Sequence, residues 1–452
     1  MKIIIAGSGK VGNTLAQRLA QEGYIVTLID KNQQVLEHIC EQCDVMGVQG
    51  NCASMPVLQQ AGVSDADLLI AVTHEDEVNL LCCTTAHGIN PNLHTIARIR
   101  NPEYTQQIHA LRNVFALSLA VNPEFQAARE VERLLRFPGF LRRDTFAKGR
   151  SAIVELRVEE DSKLCHIPLH QMNNIVKCKV LVCAVLRDGN AITPGGNFIL
   201  EEGDRIFVTA PTDNLSTLLK NLGIVTRKVR KVLICGGGRV SHYLAEKLCQ
   251  SGISVSIIES NYNRCVELAS LLPDASVVHG DATDQDLLES QGLSDCDALV
   301  TMTGLDELNM IISLYGSGKN IPQVITKLSR AENRSISDAL MLGSVICPRE
   351  LCCDDIVRYV RAMENHSGSA ISVHSIADGQ AEAVEFTVDA NTAHCGEPLK
   401  NIKLRSGVLL ASITHGSNTT IPNGDSVFHP GNTIVVVTSG RGKLRQLNDI
   451  FA

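Results

Sequence analysis

The first 32 residues of the chain read MKIIIAGSGKVGNTLAQRLAQEGYIVTLIDKN. Residues 230–261 read RKVLICGGGRVSHYLAEKLCQSGISVSIIESN, so the same pattern returns after 229 positions. Each stretch contains a short aliphatic run, a glycine-rich turn, an amphipathic segment and a second aliphatic run that ends in Asp30 or Glu259. This order predicts a β-strand, a tight turn, an α-helix and a second, parallel strand.

The repeat extends over the whole chain. Residues 67–80 read DLLIAVTHEDEVNL and residues 297–310 read DALVTMTGLDELNM, an offset of 230. Towards the end of each copy, Pro194 corresponds to Pro422 with an offset of 228. Offsets that drift so little indicate an internal duplication.

Each copy has two parts with different patterns. In the first part, continuous aliphatic runs alternate with amphipathic helices, which is typical of a parallel sheet covered on both faces. The second part has short strands separated by Pro and Gly turns, which predicts a small α+β module. The predicted fold class is α/β, with two tandem copies of a Rossmann-like doubly wound parallel sheet, each followed by a small α+β C-terminal lobe.

The duplication predicts four domains, at residues 1–140, 141–225, 226–366 and 367–452. Two stretches rich in Gly, Ser and charged residues are predicted to be connectors. They read FPGFLRRDTFAKGRS at residues 137–151 and ENHSGSAISVHSIADG at residues 364–379.

Composition excludes several classes of protein. The 452 residues carry a formal charge of −8, with 4% aromatic residues and no Trp, which argues against binding to nucleic acid. The 16 cysteines are too dilute for a small disulfide scaffold, and the N-terminus does not resemble a signal peptide. We expect a cytoplasmic protein with reduced thiols and, since no apolar run reaches about 18 residues, no membrane-spanning helix.

The first glycine turn fits the pattern G-x-G-x-x-G between a strand and a helix. Gly7 permits the tight turn, Gly9 lets the backbone approach a pyrophosphate, and Gly12 lets helix and strand pack closely. Asp30, at the end of the second strand, is placed to bind ribose hydroxyls, and without an adjacent arginine it favours NAD over NADP. The alternatives are a purely structural turn and, for Asp30, a helix N-cap.

The second glycine turn, formed by Gly236, Gly237 and Gly238, departs from this pattern because Ser241 replaces the third glycine. Glu259 still supplies the ribose acid. The turn therefore predicts a second adenine-nucleotide site, with a relic of the duplication as the alternative.

Matching residues extend both candidate sites along the carboxyl edges of the predicted sheets, where ligands of such folds collect. They are Asn51–Cys52 and Asp281–Ala282 after the third strand, Thr73 and Thr303 after the fourth, and Arg98 and Lys327 at the end of the fifth. The first pairs would meet the adenine end, and the cations would meet a phosphate. Ordinary loop residues and surface charges are the alternatives.

The sequence contains no evident catalytic set. His166, His170 and His394 have no counterparts in the other copy, and the CxxC at Cys40 falls late in a predicted helix. No metal site and no enzymatic activity are therefore predicted. The alternative function is an NAD-dependent oxidoreductase with duplicated domains; a DNA-bound repressor fits the charge less well.

Segments AVTHEDEVN (71–79) and TMTGLDELN (301–309) follow the two fourth strands. With the glycine turns and the paired small modules, they make essentially the whole chain resemble the tandem RCK (KTN) family, the cytosolic regulatory subunits of bacterial Trk potassium-uptake systems. The resemblance implies binding of NAD(H) or ATP/ADP and assembly into a dimer or tetramer ring. It also implies a position on the inner face of the membrane, under an integral-membrane potassium-translocating subunit of the TrkH/TrkG type whose gate the ring controls.

The resemblance also carries nucleotide-binding roles onto particular residues. In the first copy these are Gly7, Ser8, Gly9, Lys10, Val11, Asp30, Thr73, His74 and Arg98. In the second copy they are Gly236, Gly237, Gly238, Arg239, Val240, Glu259, Asp281 and Lys327. Asn51 and Ser241 depart from the family's commoner Asp and Gly.

Overall fold

The computed structural model describes residues 1–136, 139–224, 228–330, 333–340, 342–363, 370–439, 444 and 446–452. The chain falls into two compact units. One contains Met1–Arg129 and Cys347–Val357, and the other contains Glu130–Ile346 and Arg358–Ala452. None of the helices in these ranges combines the length and apolar content that a bilayer crossing requires.

The first copy begins with alternating strands and helices. They are β1 (Lys2–Ala6), α1 (Lys10–Gln21), β2 (Ile25–Asp30), α2 (Gln33–Gln42), β3 (Met46–Gln49), α3 (Met55–Gln60), β4 (Leu68–Ala71), α4 (Asp76–Ile89), β5 (His94–Arg98), α5 (Pro102–Leu111), β6 (Leu119–Val121) and α6 (Pro123–Arg136). The strands form a six-stranded parallel sheet in the order β3-β2-β1-β4-β5-β6. In its centre, Ile3 lies opposite Val26 on one side and Leu68 on the other.

Burial explains why these segments fold as they do. All four residues of β4 are buried, because helices cover both faces of the sheet. In α1 the buried residues include Leu15, Ala16 and Leu19, which recur at helical spacing and form one apolar face.

A small antiparallel lobe follows. Its elements are β7 (Arg142–Phe146), β8 (Ser151–Arg157), α7 (Met172–Val176), β9 (Leu181–Arg187), β10 (Asn190–Ile192), β11 (Arg205–Pro211) and α8 (Leu215–Leu222). The strand order is β10-β9-β11-β8-β7. The two short helices pack against each other beside the sheet.

The second copy repeats the parallel sheet. Its elements are β12 (Lys231–Cys235), α9 (Arg239–Gln250), β13 (Ser254–Glu259), α10 (Tyr262–Leu271), β14 (Ser276–His279), α11 (Gln285–Ser290), β15 (Ala298–Thr301), α12 (Asp306–Gly318), β16 (Gln323–Lys327), α13 (Arg334–Ala339), β17 (Ser344–Ile346) and α14 (Pro348–Met363). The order β14-β13-β12-β15-β16-β17 equals that of the first sheet. The predicted pair of doubly wound parallel sheets is confirmed.

The second antiparallel lobe contains β18 (Ala370–Ile376), β19 (Ala381–Thr387), β20 (Val408–His415), β21 (Asn418–Thr420) and β22 (Thr433–Ser439). The strand order is β18-β19-β22-β20-β21. Both predicted C-terminal lobes are therefore present, each built on a five-stranded sheet.

The two predicted connectors are wrong in their described parts, because each contains a strand. β7 and β18 pair with β8 and β19 through tight hairpins, in which Gly149 and Gly379 have φ of +87° and +84°. Polar and Gly-rich composition concealed strands whose partners lie next along the chain. Residues 137–138 and 364–369 of these stretches lie outside the described residues, and so do the boundaries predicted at 225/226 and 366/367. All three predicted boundaries between the four domains stay predictions.

Part of the last helix of each copy belongs to the compact unit that contains the other copy's parallel sheet. The sequence did not predict this exchange. Residues 347–357, which include most of α14, belong to the first unit. There Asp354 Oδ1 lies 2.6 Å from Arg18 Nη1, and Asp355 accepts a hydrogen bond from Gln126. The residues of α6 from Glu130 onward belong to the second unit, where the Leu134 carbonyl accepts a 2.8 Å hydrogen bond from Gln323.

The two antiparallel lobes share an apolar core within the second unit. Phe146 and Phe207 of the first lobe are buried in one cluster with Ile376 and Val435 of the second.

Beside this shared core, Arg205 joins the two lobes through ion pairs. Its Nε donates to Glu155 at 2.5 Å, and its Nη1 donates to Asp378 of the second lobe at 2.8 Å. The side chains of Arg205 and Glu155 are only 8% and 2% exposed, so each compensates the charge of the other.

We predict that Arg205→Ala lowers the free energy of unfolding by about 3–5 kcal/mol, because it leaves the Glu155 carboxylate buried without its cation. Denaturant-induced unfolding followed by circular dichroism measures the change. Lys148→Ala is the matched control: Lys148 is exposed and occupies the hairpin position that corresponds to Asp378, so we expect a change within about 0.5 kcal/mol. Equal stability of the two variants would contradict the prediction.

Candidate functional site

The first glycine turn joins β1 to α1 at the carboxyl edge of the first sheet. A Cβ on Gly7, whose φ is +104°, would lie 2.9 Å from the backbone of Thr73. A Cβ on Gly12 would lie 1.9 Å from the Gly7 carbonyl oxygen, whereas one on Gly9 would meet no atom within 4 Å. Packing therefore explains the first and third glycines, and the second faces open space.

Asp30 is bonded to this turn. Its Oδ2 accepts from the Ser8 N–H at 2.6 Å, and its Oδ1 accepts from the Asn32 N–H at 2.9 Å. Partial burial alone would raise the pKa of Asp30, but these hydrogen bonds hold it below the ordinary value. The alternative role of Asp30 as the cap of α2 is wrong, because the Asn32 side chain accepts from the N–H groups of Gln34 and Val35.

The segment 71–79 joins the ends of β4 and β5. Asn79 is fully buried, and its Oδ1 accepts from the Thr73 N–H at 2.8 Å and from the Thr73 hydroxyl at 2.7 Å. Its Nδ2 donates to the Arg98 carbonyl at 2.9 Å. Asp76 accepts from the N–H of Arg100 at 2.7 Å. The acid and the amide of the D-E-x-N pattern therefore hold the loops that carry the predicted ligand-binding residues.

Two guanidinium groups lie at this edge. Arg98 donates to the Thr73 carbonyl, and its Nε is buried with no hydrogen-bond partner among the described residues. Burial lowers the pKa of Arg98, and the neighbouring Arg100 lowers it further. Arg100 donates to the His74 carbonyl.

These parts surround an open cleft of about 500 Å³. Its lining includes four cationic side chains and two carboxylates, so the cleft favours an anion. The lining residues are Gly7, Gly9, Lys10, Val11, Ile29, Asp30, Lys31, Gly50, Cys52, Val72, Thr73, His74, Glu75, Val78, Arg98 and Arg100.

Most residues predicted for the first site lie around this one cleft. Ser8, Gly12 and Asn51 do not line it: Ser8 and Gly12 shape the turn, and the Asn51 side chain accepts from the Ala53 N–H at 3.2 Å within its own loop. The sequence did not single out the lining cations Lys31 and Arg100. Both follow a strand end by one or two residues, which is a signal that could have found them.

Cys52 is buried beneath the cleft beside Cys82. A hydrogen bond from the Cys82 thiol lowers the pKa of Cys52, and the same bond together with burial raises the pKa of Cys82. The thiol of Cys52 is thus part of both the cleft wall and the core.

The second glycine turn has the same construction. Gly236 has φ of +100°, and a Cβ there would lie 2.9 Å from Cα of Thr303. A Cβ on Gly238 would meet no atom within 4 Å. Ser241, in the position of Gly12, is fully buried, and its hydroxyl donates to the Gly236 carbonyl at 2.5 Å. The serine therefore fits the turn through a hydrogen bond.

The acid and the amide are also repeated. Glu259 accepts from the N–H groups of Gly237 at 2.6 Å and Asn261 at 2.7 Å. Asn309 is fully buried, accepts from the Thr303 N–H at 2.8 Å and donates to the Lys327 carbonyl at 3.0 Å.

The remaining predicted residues of the second copy have different surroundings. Arg239 and Val240 open α9, and Lys327 Nζ donates to the Met302 carbonyl at 3.4 Å. Asp281 accepts from the Thr283 N–H at 2.9 Å, which lowers its pKa, while Ala282 belongs to the core.

At the second turn the structure also places Arg264, a residue that was not predicted from the sequence. Its Nε donates to the Gly237 carbonyl at 2.8 Å.

With this geometry in view, two family models match the chain. The TrkA-N domain matches residues 3–123 and 232–348, which are the two parallel sheets. The TrkA-C domain matches residues 153–223 and 383–452, which are the two antiparallel lobes. The chain belongs to the TrkA family.

Relatives of this family match along the full length. The Trk system potassium uptake protein TrkA of Halomonas elongata is 30% identical over 456 residues, covering 100% of this chain and 98% of the relative. The Trk system potassium uptake protein TrkA homolog of Archaeoglobus fulgidus is 30% identical over 451 residues, covering 100% of both chains. Membership of the TrkA family confirms the prediction of a non-enzymatic protein over the duplicated oxidoreductase.

Solved structures share the fold at low identity. The GsuK RCK domain is 16% identical, with a TM-score of 0.62, over 97% of this chain and 92% of that chain. The GsuK channel bound to NAD is 17% identical, with a TM-score of 0.61, over 97% of this chain and 76% of that chain. These likenesses confirm the tandem arrangement of TrkA-family sheets and lobes.

We predict that Asn79→Ala lowers the free energy of unfolding by about 2–4 kcal/mol, because it leaves the buried N–H of Thr73 and carbonyl of Arg98 without partners. Asn309→Ala removes the matching bonds in the second sheet, so a similar loss is expected. Chemical denaturation measures both. Asn92→Ala, at an exposed position, is the control and should change stability by less than about 0.5 kcal/mol. If Asn79→Ala behaves like Asn92→Ala, the amide does not hold the loop.

Proposed function

We propose that the first glycine turn binds an adenine nucleotide, NAD(H) or ATP/ADP, and that the second turn binds one too. The observation that carries this proposal is the cleft itself. It places an open glycine, a carboxylate at the end of the second strand and four cations at the carboxyl edge of a doubly wound sheet. That edge is where such folds bind dinucleotides.

The phosphates would lie over the start of α1. The first intrahelical hydrogen bond runs from Asn13 N to the Gly9 carbonyl, so the N–H groups of residues 10–12 remain for an anion. The buried Nε of Arg98, which has no partner among the described residues, offers a further donor at the other side of the cleft. Asp30 uses one lone pair on each oxygen, which leaves others for ribose hydroxyls.

Proteins of similar fold support the choice of ligand. One solved structure is the GsuK channel bound to NAD, and another is GsuK bound to ADP. The TrkA family is named for potassium uptake. A nucleotide-dependent regulatory subunit of a potassium-uptake system accounts for both facts.

In this proposal the chain works in the cytoplasm at the inner face of the membrane. It assembles into a dimer or tetramer ring and gates an integral-membrane potassium-translocating subunit of the TrkH/TrkG type. A nucleotide that binds one ring conformation more tightly shifts the ring towards that conformation. A coupling of about 1–3 kcal/mol per site is typical, and several sites acting together multiply the effect on the gate.

Arg98 is placed to transmit occupancy within the first unit. It lines the cleft, and its charge also interacts with that of Glu124 on α6. A phosphate that engages Arg98 therefore acts on a side chain that is electrostatically linked to α6. Movement of this helix is the proposed first step of gating.

We predict that Gly9→Val weakens binding at the first site by at least about tenfold, or 1.4 kcal/mol, because the new side chain occupies the space next to the phosphates. Stability should be retained, since a Cβ there meets no atom within 4 Å. Isothermal titration with ATP and with NAD⁺ should find one fewer strong site per chain. Gly238→Val should do the same at the second site.

The control for these variants is Gly195→Val in an antiparallel lobe, where a Cβ also meets no atom within 4 Å. It should bind both nucleotides as the wild type does. Retention of every wild-type site in the Gly9→Val, Gly238→Val double variant would contradict the assignment.

We predict that potassium flux into proteoliposomes containing the membrane partner depends on nucleotide in the presence of this chain. ATP, ADP, NAD⁺ and NADH are compared at saturating concentration, with the Gly9→Val, Gly238→Val variant as the control. The wild type should give different fluxes with different nucleotides, and the double variant should give one constant flux. Identical wild-type flux in every nucleotide state would reject the gating proposal.

A further inference from the structure

We propose that the second glycine turn accepts a 2′-phosphorylated dinucleotide, NADP(H), with Arg264 as the residue that binds the 2′-phosphate. The first turn has a valine, Val35, in the corresponding position. This inference rests on the proposed function, because it takes Glu259 and Asp30 as the residues that mark the ribose ends of the two sites.

Arg264 and Glu259 lie against the same residue of the turn. The Gly237 N–H donates to Glu259 Oε2 at 2.6 Å, and the Gly237 carbonyl accepts from Arg264 Nε at 2.8 Å. The guanidinium and the carboxylate thus bond to the two backbone groups of one residue, Gly237. A ligand whose ribose reaches Glu259 brings its 2′-oxygen next to Arg264.

The guanidinium keeps donors for a ligand. Nε is used by the turn, and Nη1 lies 2.7 Å from Glu267, whose side chain is 58% exposed. Nη2 has no partner among the described residues. The Arg264 side chain is 24% exposed, so it borders solvent on one side. A phosphate dianion could take the outward donors in the paired geometry that guanidinium offers.

The first copy provides an internal comparison. Val35 occupies the position of Arg264, five residues after the acid in each copy. The acids themselves are held alike: Asp30 accepts from Ser8 N–H and Asn32 N–H, as Glu259 accepts from Gly237 N–H and Asn261 N–H. Two neighbouring positions also differ in charge: Lys31 follows Asp30 where Ser260 follows Glu259, and Glu267, the partner of Arg264, replaces His38. The second copy thus has a guanidinium beside its acid where the first has an ammonium.

The two turns offer different cations to a 2′-phosphate. Beside Asp30 the cation is Lys31, whose ammonium is a point charge without paired donors. Beside Glu259 it is Arg264, whose guanidinium presents its donors in a fork that fits the phosphate oxygens. An arginine near the ribose acid is the device by which related folds accommodate this group.

The test titrates NADP⁺ and NAD⁺ into chains with one site blocked, at one fixed ionic strength. The Gly9→Val background reports the second site, and the Gly238→Val background reports the first. In the Gly9→Val background, Arg264→Val should lower the ratio of NADP⁺ to NAD⁺ affinity by at least about tenfold, because a charge-assisted contact is lost. Arg264→Lys should retain part of that ratio, since it keeps the charge but not the fork.

The reciprocal change is made in the Gly238→Val background. Val35→Arg should raise the NADP⁺ to NAD⁺ ratio at the first site by about tenfold. Should Arg264→Val unfold the second sheet, seen as loss of its melting transition, the Arg264→Lys and Val35→Arg variants carry the test.

The outcomes separate this inference from the proposed function. If NAD⁺ or ATP binds at the second site but NADP⁺ does not, or if the ratio is unchanged by all three substitutions at positions 35 and 264, Arg264 is only a brace for the turn and the inference is overturned. The proposed function then stands. If no adenine nucleotide binds at either turn, the proposed function and the inference both fail.

Discussion

A hydrogen bond between a strand-end carboxylate and a glycine-turn N–H organises each half of this chain. It joins Asp30 to Ser8 and Glu259 to Gly237, at 2.6 Å in both cases. The bond fixes the turn against the end of the neighbouring strand. The helix that follows then starts with its free N–H groups at the carboxyl edge of the sheet, where an anion is favoured. The same carboxylate therefore shapes the turn and faces the ribose end of the proposed ligand.

The duplication shows which features of this arrangement can vary. The amide that holds the fourth-strand loop makes the same bonds in both copies, as Asn79 and as Asn309. The third glycine is replaced by a serine whose hydroxyl bonds the turn. The residue five places after the acid changes from valine to arginine. Fold-preserving contacts are retained, while the charge beside the ligand position differs.

Assignment of the last helices makes each half depend on the other. Residues 347–357 come from the second copy but belong to the unit of the first sheet, where Asp354 pairs with Arg18. Residues of α6 after Arg129 belong with the second sheet. Arg98 lines the cleft and also interacts electrostatically with Glu124 of α6, so the proposed nucleotide cleft is connected to that helix.

The amino-acid order alone indicates two doubly wound sheets, two small lobes and most of the cleft around Gly7, Asp30, Thr73 and Arg98. Strand periodicity, glycine spacing and the repeat are local or self-referential signals that need no three-dimensional knowledge. Three features became visible only in the folded chain. They are the strands β7 and β18, the unit to which each last helix belongs, and the contacts of Arg264 and Arg205. The two strands form local hairpins that their polar, Gly-rich composition concealed. The other features depend on residues that meet across longer sequence separations, and a hydrogen bond or ion pair leaves no periodic trace in the sequence.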